Sequence, residues 1–369
     1  MKKILFVDTG KEYGGGTKSF LYLLHELVKD PTFQIFVHFE TNYPVGKTTI
    51  KEIIHNSGAT WVEAKTPKKE MGKLKKEFLR AISKTRLIQA NYALHVQYAK
   101  HLLQQESWEI VHLNNHFSEN LAYIEAANQL NIRAIQHLRK NASIDPFKLA
   151  ILKQQACTAI CVSTSTFTFY QQMIPITKHV IYNPVETVPE ASIQKQTSSI
   201  TILMPANFLT LKGHHLVFEA FMHLKRNDIC LVIAGNGHFQ GETLTTYEHL
   251  KQRHLLIDKG FVEEMNPLYQ EADYVLNFSE NEGLPRTIIE GLSCGCGIIA
   301  SDIPIEHELY ALCSQKSHFH ILERTPQALT HCLETLMPIP HKQKDENIIR
   351  TFSLKQYVDS IKMIYKENE

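Results

Sequence analysis

Two glutamates, Glu282 and Glu290, stand where residue types and spacing best suit ligand chemistry. Glu282 and Gly283 lie in a predicted loop after an apolar strand, and Pro285 suits the first turn of a helix, where its missing N–H costs nothing. That helix, predicted to end at Cys294, begins at the carboxyl ends of the strands, where open α/β sheets bind ligands. Its N-terminus favours a phosphate group, and Glu290 could bridge the vicinal hydroxyls of a ribose.

A plainer interpretation makes Glu282 a loop charge and Glu290 a solvated helical residue. Against it, Gly295 suits the left-handed cap that ends a helix, and the chain then runs directly into an apolar strand. Because these neighbouring features all agree with a strand–loop–helix–strand unit, we predict that both glutamates face a ligand.

The elements that position these residues are short apolar runs alternating with longer helical patterns. Near-continuous apolar runs indicate strands buried on both faces, and strand–helix–strand order predicts a parallel sheet covered by helices. The predicted strands are Ile4–Val7, Ile35–Phe39, Ile110–Leu113, Ile132–Ile135, Thr158–Val162, Ile200–Met204, Ile229–Ala234, Leu255–Lys259, Tyr274–Asn277 and Gly297–Ala300.

A length of 369 residues suits two domains. The stretch between Pro184 and Ser199 is polar, contains proline and lacks either hydrophobic period, so we place the boundary there. The predicted fold class is α/β, with two Rossmann-like, doubly wound parallel-sheet domains facing a cleft. The predicted domains are residues 1–185 and 186–353, with a final helix, 354–369, able to pack back on the first.

The stretch around the two glutamates resembles the signature of retaining glycosyltransferase family four, which has the GT-B fold. That signature has two glutamates separated by seven residues, then small residues and a glycine leading into an apolar strand, as found here. The resemblance covers essentially the whole second half and, more weakly, the first. It extends back through Gly260-Phe261-Val262, Leu268-Tyr269, Ala272-Asp273 and Ser279.

The resemblance implies that residues 1–185 form the acceptor-side domain and residues 186–353 the nucleotide-sugar-binding domain. It also implies a role for each residue that contacts the donor. Glu282 would bind hydroxyls of the transferred sugar, beside the backbone N–H groups of Gly283 and Leu284. Glu290 would bind the ribose of the nucleotide, and Phe261 would belong to the same donor site.

Family members also carry an arginine five residues before a Lys-Gly pair, with both cations facing the diphosphate. Here Lys212-Gly213 is present, but Asn207 occupies the arginine position. Without the resemblance, Lys212 would be an ordinary surface lysine. One phosphate-neutralising charge is therefore missing, so either Arg286 or Arg139 substitutes or activity is weak.

In the first half, Gly14 and Gly15 match a paired glycine that lets a loop approach the diphosphate and acceptor. A glycine loop alone fits a flexible turn equally well. His116 follows a predicted strand and matches a family histidine near the reacting sugar. Any single one of the chain's 20 histidines is more often structural.

The implied reaction transfers a hexose or N-acetylhexosamine from a nucleotide sugar, with UDP the family's default, to an acceptor hydroxyl with retention of configuration. A glycan or lipid-linked acceptor in cell-envelope polysaccharide, lipopolysaccharide or glycolipid assembly fits the family. Since the chain has no D-x-D triplet, we expect no metal or other cofactor. The alternatives are a sugar-nucleotide-binding protein without transfer and a glycoside hydrolase, which also needs two carboxylates.

Composition narrows the possible partners and location. A net charge of +1 lacks the overall positive charge that is typical of nucleic-acid-binding proteins. The first apolar run ends at Asp8, which predicts a strand and not a signal peptide, and no apolar stretch reaches the roughly 20 residues of a membrane span. Seven cysteines without a C-x-x-C pair suggest reduced thiols and a cytoplasmic protein.

Residues 65–86 carry nine Lys or Arg against two Glu, a net charge of +7. Met71, Leu74, Phe78 and Ile82 recur at helical spacing and would form one apolar stripe. Either the stripe packs on the core and the charges are solvated, or the helix lies on an anionic membrane surface. The lipid-linked acceptors of many family members favour the membrane.

Overall fold

The computed structural model describes residues 1–65, 71–185, 199–339 and 341–367, and it divides the chain into two compact units. Unit 1 comprises Met1–Asn183 and Tyr357–Glu369, and unit 2 comprises Pro184–Gln356. Most of the stretch in which we predicted the boundary lies outside the described residues.

Unit 1 is a parallel sheet in which each strand pairs with its neighbours in the order β5-β2-β1-β6-β7-β8. Taken in chain order this is 3-2-1-4-5-6, the order of dinucleotide-binding folds. Its strands are β1 (Lys2–Asp8), β2 (Phe33–Phe39), β5 (Thr60–Trp61), β6 (Ile110–Asn114), β7 (Arg133–Leu138) and β8 (Thr158–Cys161), and a small hairpin adds β3 (Pro44–Val45) and β4 (Thr48–Thr49). Its helices are α1 (Gly15–Val28), α2 (Ile50–Asn56), α3 (Lys73–Ile82), α4 (Lys84–Leu103), α5 (Phe117–Gln129), α6 (Pro146–Leu152) and α7 (Thr164–Gln171).

The last helix of the chain, α15 (Leu354–Lys366), lies mostly in unit 1 although it follows unit 2 in sequence. A hydrogen bond of 2.6 Å joins the buried Tyr365 hydroxyl to Nδ1 of His112 in β6. Lys362 forms an ion pair of 2.6 Å with Asp30. These two polar contacts attach α15 to the rest of unit 1.

Unit 2 repeats the same strand order in a second parallel sheet, β11-β10-β9-β12-β13-β14. Its strands are β9 (Ile200–Pro205), β10 (Ile229–Ala234), β11 (Leu256–Asp258), β12 (Tyr274–Asn277), β13 (Gly297–Ser301) and β14 (Phe319–Leu322). Its helices are α8 (His214–His223), α9 (Gly241–Gln252), α10 (Asn266–Glu271), α11 (Arg286–Ser293), α12 (Pro304–Leu312), α13 (Pro326–Thr335) and α14 (Glu346–Thr351).

The predicted fold class of two Rossmann-like parallel α/β domains is confirmed, and each of the ten predicted strands overlaps an observed one. The prediction missed two edge strands, β5 and β14. β5 has only two residues, and β14 contains a histidine and is only half-buried over most of its length, so neither gives a long apolar run. Helix α11 spans Arg286–Ser293, one residue shorter at each end than predicted.

The basic segment forms helix α3, which is followed at Ser83 by helix α4. Residues 66–70 of the segment lie outside the described residues. No residue of α3 is buried, and the side chains of its apolar stripe are largely exposed: Leu74 89%, Phe78 65% and Ile82 50%. The interpretation in which this stripe packs on the core is therefore wrong for α3.

Candidate functional site

The carboxyl ends of β9 and β12 bring Lys212 and Glu282 together. Lys212 ends a short 3₁₀ turn, and its Nζ lies 2.5 Å from Oε1 of Glu282. Gly213, at φ +82°, makes this possible, because a Cβ there would lie 2.4 Å from the carbonyl oxygen of Phe278 at the end of β12. The lysine side chain is 23% exposed and the glutamate 16%, so the ion pair is largely shielded from water.

Polar side chains at the carboxyl end of β12 connect to Glu282. The Ser279 hydroxyl lies 2.7 Å from both Oε1 of Glu282 and Oδ1 of Asn277, and with one proton it can donate to one of them at a time. The Asn277 amide donates to Oε1 of Glu306, at 2.8 Å. Ser279 and Glu306 are fully buried, so this chain of contacts lies inside the protein. Glu306, on α12, was not predicted as a site residue.

Glu290, on α11, is engaged at both carboxylate oxygens. The Tyr269 hydroxyl donates to Oε2 at 2.7 Å, and the Arg286 guanidinium donates to Oε1 at 3.3 Å. Burial, and then the charge of Glu290, raise the pKa of Tyr269 well above its usual value, so its hydroxyl remains a donor. Arg286 also donates to the carbonyl of Pro184. The structure thus places Arg286 beside the predicted ribose-binding carboxylate.

Asn207 connects two loops at the same edge of the sheet. Its Oδ1 accepts a hydrogen bond of 3.0 Å from the backbone N–H of Asn236, after β10. The loops pack so closely that a Cβ on Gly235 would lie 2.2 Å from the Ala206 carbonyl oxygen. Asn207 therefore organises the loops and adds no positive charge where the family has arginine.

The remaining predicted donor residues lie on loops of unit 2. Gly283 and Leu284 are buried between β12 and α11. Phe261 follows β11 and Gly260, and its ring is 66% exposed. An exposed aromatic ring at the carboxyl edge of a sheet offers a flat face to a ligand.

In unit 1 the predicted residues lie at two helix N-termini. Gly14 precedes α1 in extended conformation, and Gly15 is the first residue of that helix. Among the described residues, no atom lies within 4 Å of the place that a Cβ at position 14 would occupy, so packing does not require glycine there. His116 precedes α5 and is buried, with Nε2 at 3.3 Å from Oε1 of Glu119. Its buried Nδ1 has no hydrogen-bond partner among the described residues.

Of a polar cluster at the ends of β1, β6 and β7, the sequence analysis named only Arg139, as a possible substitute cation, and did not predict the cluster as a site. Buried Asp8 accepts hydrogen bonds from Asn114 at 2.6 Å and Asn115 at 3.0 Å, and Arg139 donates to Asn114 at 2.7 Å. Burial raises the pKa of Asp8. Asn115 adopts φ 97°, uncommon for a residue other than glycine and often associated with functional sites. The available signal was that these polar residues directly follow apolar runs.

Comparison with known protein families gives a match in the second half of the chain. Residues 188–351 match the family described as glycosyl transferases group 1. A curated relative, the Campylobacter jejuni N-acetylgalactosamine-N,N'-diacetylbacillosaminyl-diphospho-undecaprenol 4-alpha-N-acetylgalactosaminyltransferase, is 29% identical over 91 residues. That alignment spans 25% of this chain and 25% of the relative.

Solved structures extend the similarity in fold to the whole chain. A glycosyltransferase from Rickettsia africae superimposes with a TM-score of 0.73 at 18% identity, covering 100% of this chain and 99% of that one. Anabaena HepE, solved in complex with UDP and glucose, gives 0.71 at 15% identity and covers 99% of both chains. The chain therefore has the GT-B fold of solved glycosyltransferases, and its residues 188–351 are similar to the glycosyl transferases group 1 family.

Proposed function

We propose that the protein is a retaining glycosyltransferase that moves a hexose or N-acetylhexosamine from a UDP-sugar to an acceptor hydroxyl. The observation that carries this proposal is the shielded Lys212–Glu282 pair at the carboxyl ends of β9 and β12. It combines a phosphate-binding cation with a sugar-binding carboxylate at the edge where open α/β sheets bind ligands. The complex of HepE with UDP and glucose, on a similar fold, supports the choice of nucleotide.

The pairing of Lys212 with Glu282 suggests how donor binding prepares the site. A bound diphosphate would attract the Lys212 ammonium, because it carries more negative charge than one carboxylate. Oε1 of Glu282 would then accept a hydrogen bond from a sugar hydroxyl in place of the ammonium. Glu290, already oriented by Tyr269, would accept from the ribose hydroxyls.

Transfer would proceed on one face of the sugar. The acceptor oxygen forms a bond to the anomeric carbon as the bond from that carbon to the diphosphate oxygen breaks, and the acceptor proton passes to the leaving diphosphate. The protein contributes by positioning and by stabilising the developing charge on the diphosphate. Lys212 and the backbone N–H groups of Gly283 and Leu284 are the groups we assign to that task.

We propose that this reaction needs no metal ion, since Lys212 supplies positive charge and the sequence has no D-x-D triplet. In the part of the chain that the structure describes, no group of three or more His, Cys, Asp and Glu side chains could hold a metal. Activity that is unchanged by EDTA and not raised by Mg²⁺ or Mn²⁺ would agree with this proposal, and loss of activity in EDTA would contradict it.

For the acceptor, we propose a lipid-linked glycan at the inner face of a membrane. The Campylobacter relative is named for a diphospho-undecaprenol substrate. Exposed Leu74, Phe78 and Ile82 on α3, surrounded by lysines and arginines, suit an anionic lipid surface. None of the described helices has the length and apolar character needed to cross a membrane.

One observation favours a second candidate, a sugar-nucleotide-binding protein without transfer. Asn207, which connects two loops, occupies the position at which the resemblance implies an arginine. That arginine would be a second phosphate-binding cation and would increase turnover. The two candidates differ in their response to an acceptor, because only a transferase releases nucleotide when an acceptor is added.

The experiment that tests the proposal screens purified protein against UDP- and GDP-sugars by isothermal titration calorimetry. Bound pairs are then incubated with lipid-linked and soluble acceptors, and the released nucleotide is measured. Saturable binding with acceptor-dependent release of UDP supports the transferase, and an α-linked product from an α-linked donor supports retention. Binding without release under any acceptor favours the second candidate, and no binding of any nucleotide sugar rejects both.

A further inference from the structure

Glu306 is a buried carboxyl group that the proposed mechanism does not use. It lies in the first turn of α12 and is fully buried. Its Oε1 accepts from Asn277, whereas its buried Oε2 has no hydrogen-bond partner among the described residues. An ionised carboxylate with one oxygen unpaired in the interior is costly, and protonation of that oxygen removes the cost.

This group connects to the donor site through a continuous set of contacts. Asn277 lies between Glu306 and Ser279, and Ser279 lies between Asn277 and Glu282, with each polar contact at 2.7–2.8 Å. The Ser301 hydroxyl donates to the Ser279 carbonyl at 2.5 Å and fixes the backbone of this segment. A change at Glu306 therefore reaches Glu282 through two buried side chains.

Burial, more than the surrounding charges, favours the protonated form of Glu306 at neutral pH. Burial, and then the negative charge of Glu282, raise its pKa to about 8, while the Asn277 hydrogen bond and the Lys212 charge oppose the shift. Two further ionisable groups of this unit have other partners. Arg324, after β14, binds the carbonyls of Phe278 and Leu211, and His307 on α12 is exposed and pairs with Asp302.

We propose that Glu306 is a positioning residue of the donor site, whose protonated carboxyl keeps the Lys212–Glu282 pair electrically neutral and ready for a diphosphate. This inference rests on the proposed function. With Glu306 protonated, the three groups carry one positive and one negative charge. When Glu306 ionises, a second carboxylate competes for Lys212, and the net negative charge repels the diphosphate.

The test compares UDP binding at pH 7 and pH 9 by titration calorimetry for the wild type, Glu306→Gln and the control Glu248→Gln. Glu248 is an exposed glutamate of α9 in the same unit. Glutamine cannot ionise and keeps the shape of the protonated acid. We expect the wild type and the control to lose about tenfold in affinity between the two pH values, and Glu306→Gln to lose less than threefold. An equal loss in all three proteins overturns the inference.

A second measurement uses the wild type alone and needs no nucleotide. In protein carrying ¹³C at the glutamate side-chain carboxyl carbons, we expect one carboxyl signal that titrates near pH 8, far above the others. If every described glutamate titrates below pH 6.5, Glu306 is ionised at neutral pH and the inference is wrong. Failure of the wild type to bind UDP or any nucleotide sugar, by contrast, rejects the proposed function, and the ¹³C titration still decides the protonation of Glu306.

Discussion

At the scale of single residues, the charged groups of the proposed donor site neutralise one another. Lys212 neutralises Glu282, and Arg286 neutralises Glu290, so each carboxylate has a cation within 3.3 Å. Partly buried ion pairs hold their geometry because losing one partner leaves the other uncompensated. A substitution here consequently acts on both members of a pair.

Replacing Lys212 with alanine should lower turnover by about 10²-fold or more, because the diphosphate loses the cation that stabilises its developing charge. Initial rates with saturating donor measure this effect. Lys225→Ala, which removes an exposed lysine from the same unit, serves as the control. Unchanged turnover in Lys212→Ala would remove this lysine from the mechanism.

The two glutamates should differ in the step that each affects. Glu290→Ala should weaken the binding of free UDP, whereas Glu282→Ala should abolish transfer while leaving UDP affinity nearly intact. Tyr269→Phe removes only the hydroxyl that orients Glu290, so we expect a loss of several-fold in UDP affinity, smaller than that of Glu290→Ala. Calorimetry with UDP, together with transfer assays, separates these outcomes. If both alanine variants bind and transfer like the wild type, the assignment of the donor site is wrong.

Glu306 should also make stability depend on pH. The pKa of the group is about 8 in the folded state and 4.5 in its ordinary environment. Between these values the unfolded chain loses a proton that the folded protein keeps, so the contribution of Glu306 to stability is complete below about pH 4.5 and lost as the pH rises to about 8. Glu306→Gln removes this loss. We therefore expect the melting temperature of Glu306→Gln, minus that of the wild type, to increase from pH 5 to pH 8. A difference that stays constant over this range would contradict the prediction.

The sequence could name residues of the candidate site only where a local pattern or the family resemblance marked them. Glu282 and Glu290 stand in recognisable spacing beside glycines and a proline, whereas Lys212 was named from the resemblance alone. Glu306 gave no such signal, because its relation to Glu282 depends on two strands and a helix meeting in space. The pairing of Lys212 with Glu282 was unpredictable for the same reason, since 70 residues separate them.

At the scale of elements, α3 is the helix of unit 1 whose sequence and burial disagree most. Its apolar side chains keep the periodicity of a packed helix, yet none of them is buried. The structure places Leu74, Phe78 and Ile82 of the predicted stripe on α3, whereas Met71 precedes the helix. The sequence could not show which surface the stripe faces, because burial depends on the position of neighbouring helices. Helix α4, the next along the chain, buries Tyr98, Ala99, Leu102 and Leu103 in its C-terminal half.

We expect the protein to sediment with anionic liposomes at low salt, and this binding to weaken as salt rises. Each lysine or arginine near an anionic surface contributes about 1 kcal/mol within a Debye length. Charge reversal at Lys73, Lys75, Lys76 and Arg80 to glutamate should abolish binding. Wild-type protein that stays in the supernatant at low salt would contradict the membrane assignment.

The apolar stripe has a test of its own. Phe78→Ser should reduce liposome binding while changing the melting temperature little, because the ring is exposed. As a matched control, Phe20→Ser in the core of unit 1 should lower the melting temperature strongly, by an amount corresponding to about 3–5 kcal/mol. Strong destabilisation by Phe78→Ser would instead show that the stripe packs on protein.

At the scale of the whole molecule, the chain contains two units with one strand order. The apolar runs predicted both sheets because parallel strands are buried on both faces, which gives a strong signal in the sequence. Short edge strands and the extent of the connecting loops gave little signal. The order of strands within each sheet is the one that the predicted Rossmann-like, doubly wound fold class has.

Removing the last helix should destabilise unit 1 and not unit 2. A chain ending at residue 353 lacks Tyr365, the partner of His112, and Lys362, the partner of Asp30. We expect limited proteolysis to cut the truncated protein within residues 1–183 while leaving the second unit resistant. Equal resistance of both units would show that α15 contributes little to the first.

Because α15 completes unit 1 from the far end of the chain, the ribosome must synthesise all of unit 2 before unit 1 can finish folding. Domains generally fold as they emerge, with the N-terminal one first. Here the N-terminal unit would leave the exit tunnel with Tyr365 still unmade and the surface around His112 uncovered. Unit 2 is continuous and can fold as soon as it is synthesised, so the first unit to be translated is the last to be completed.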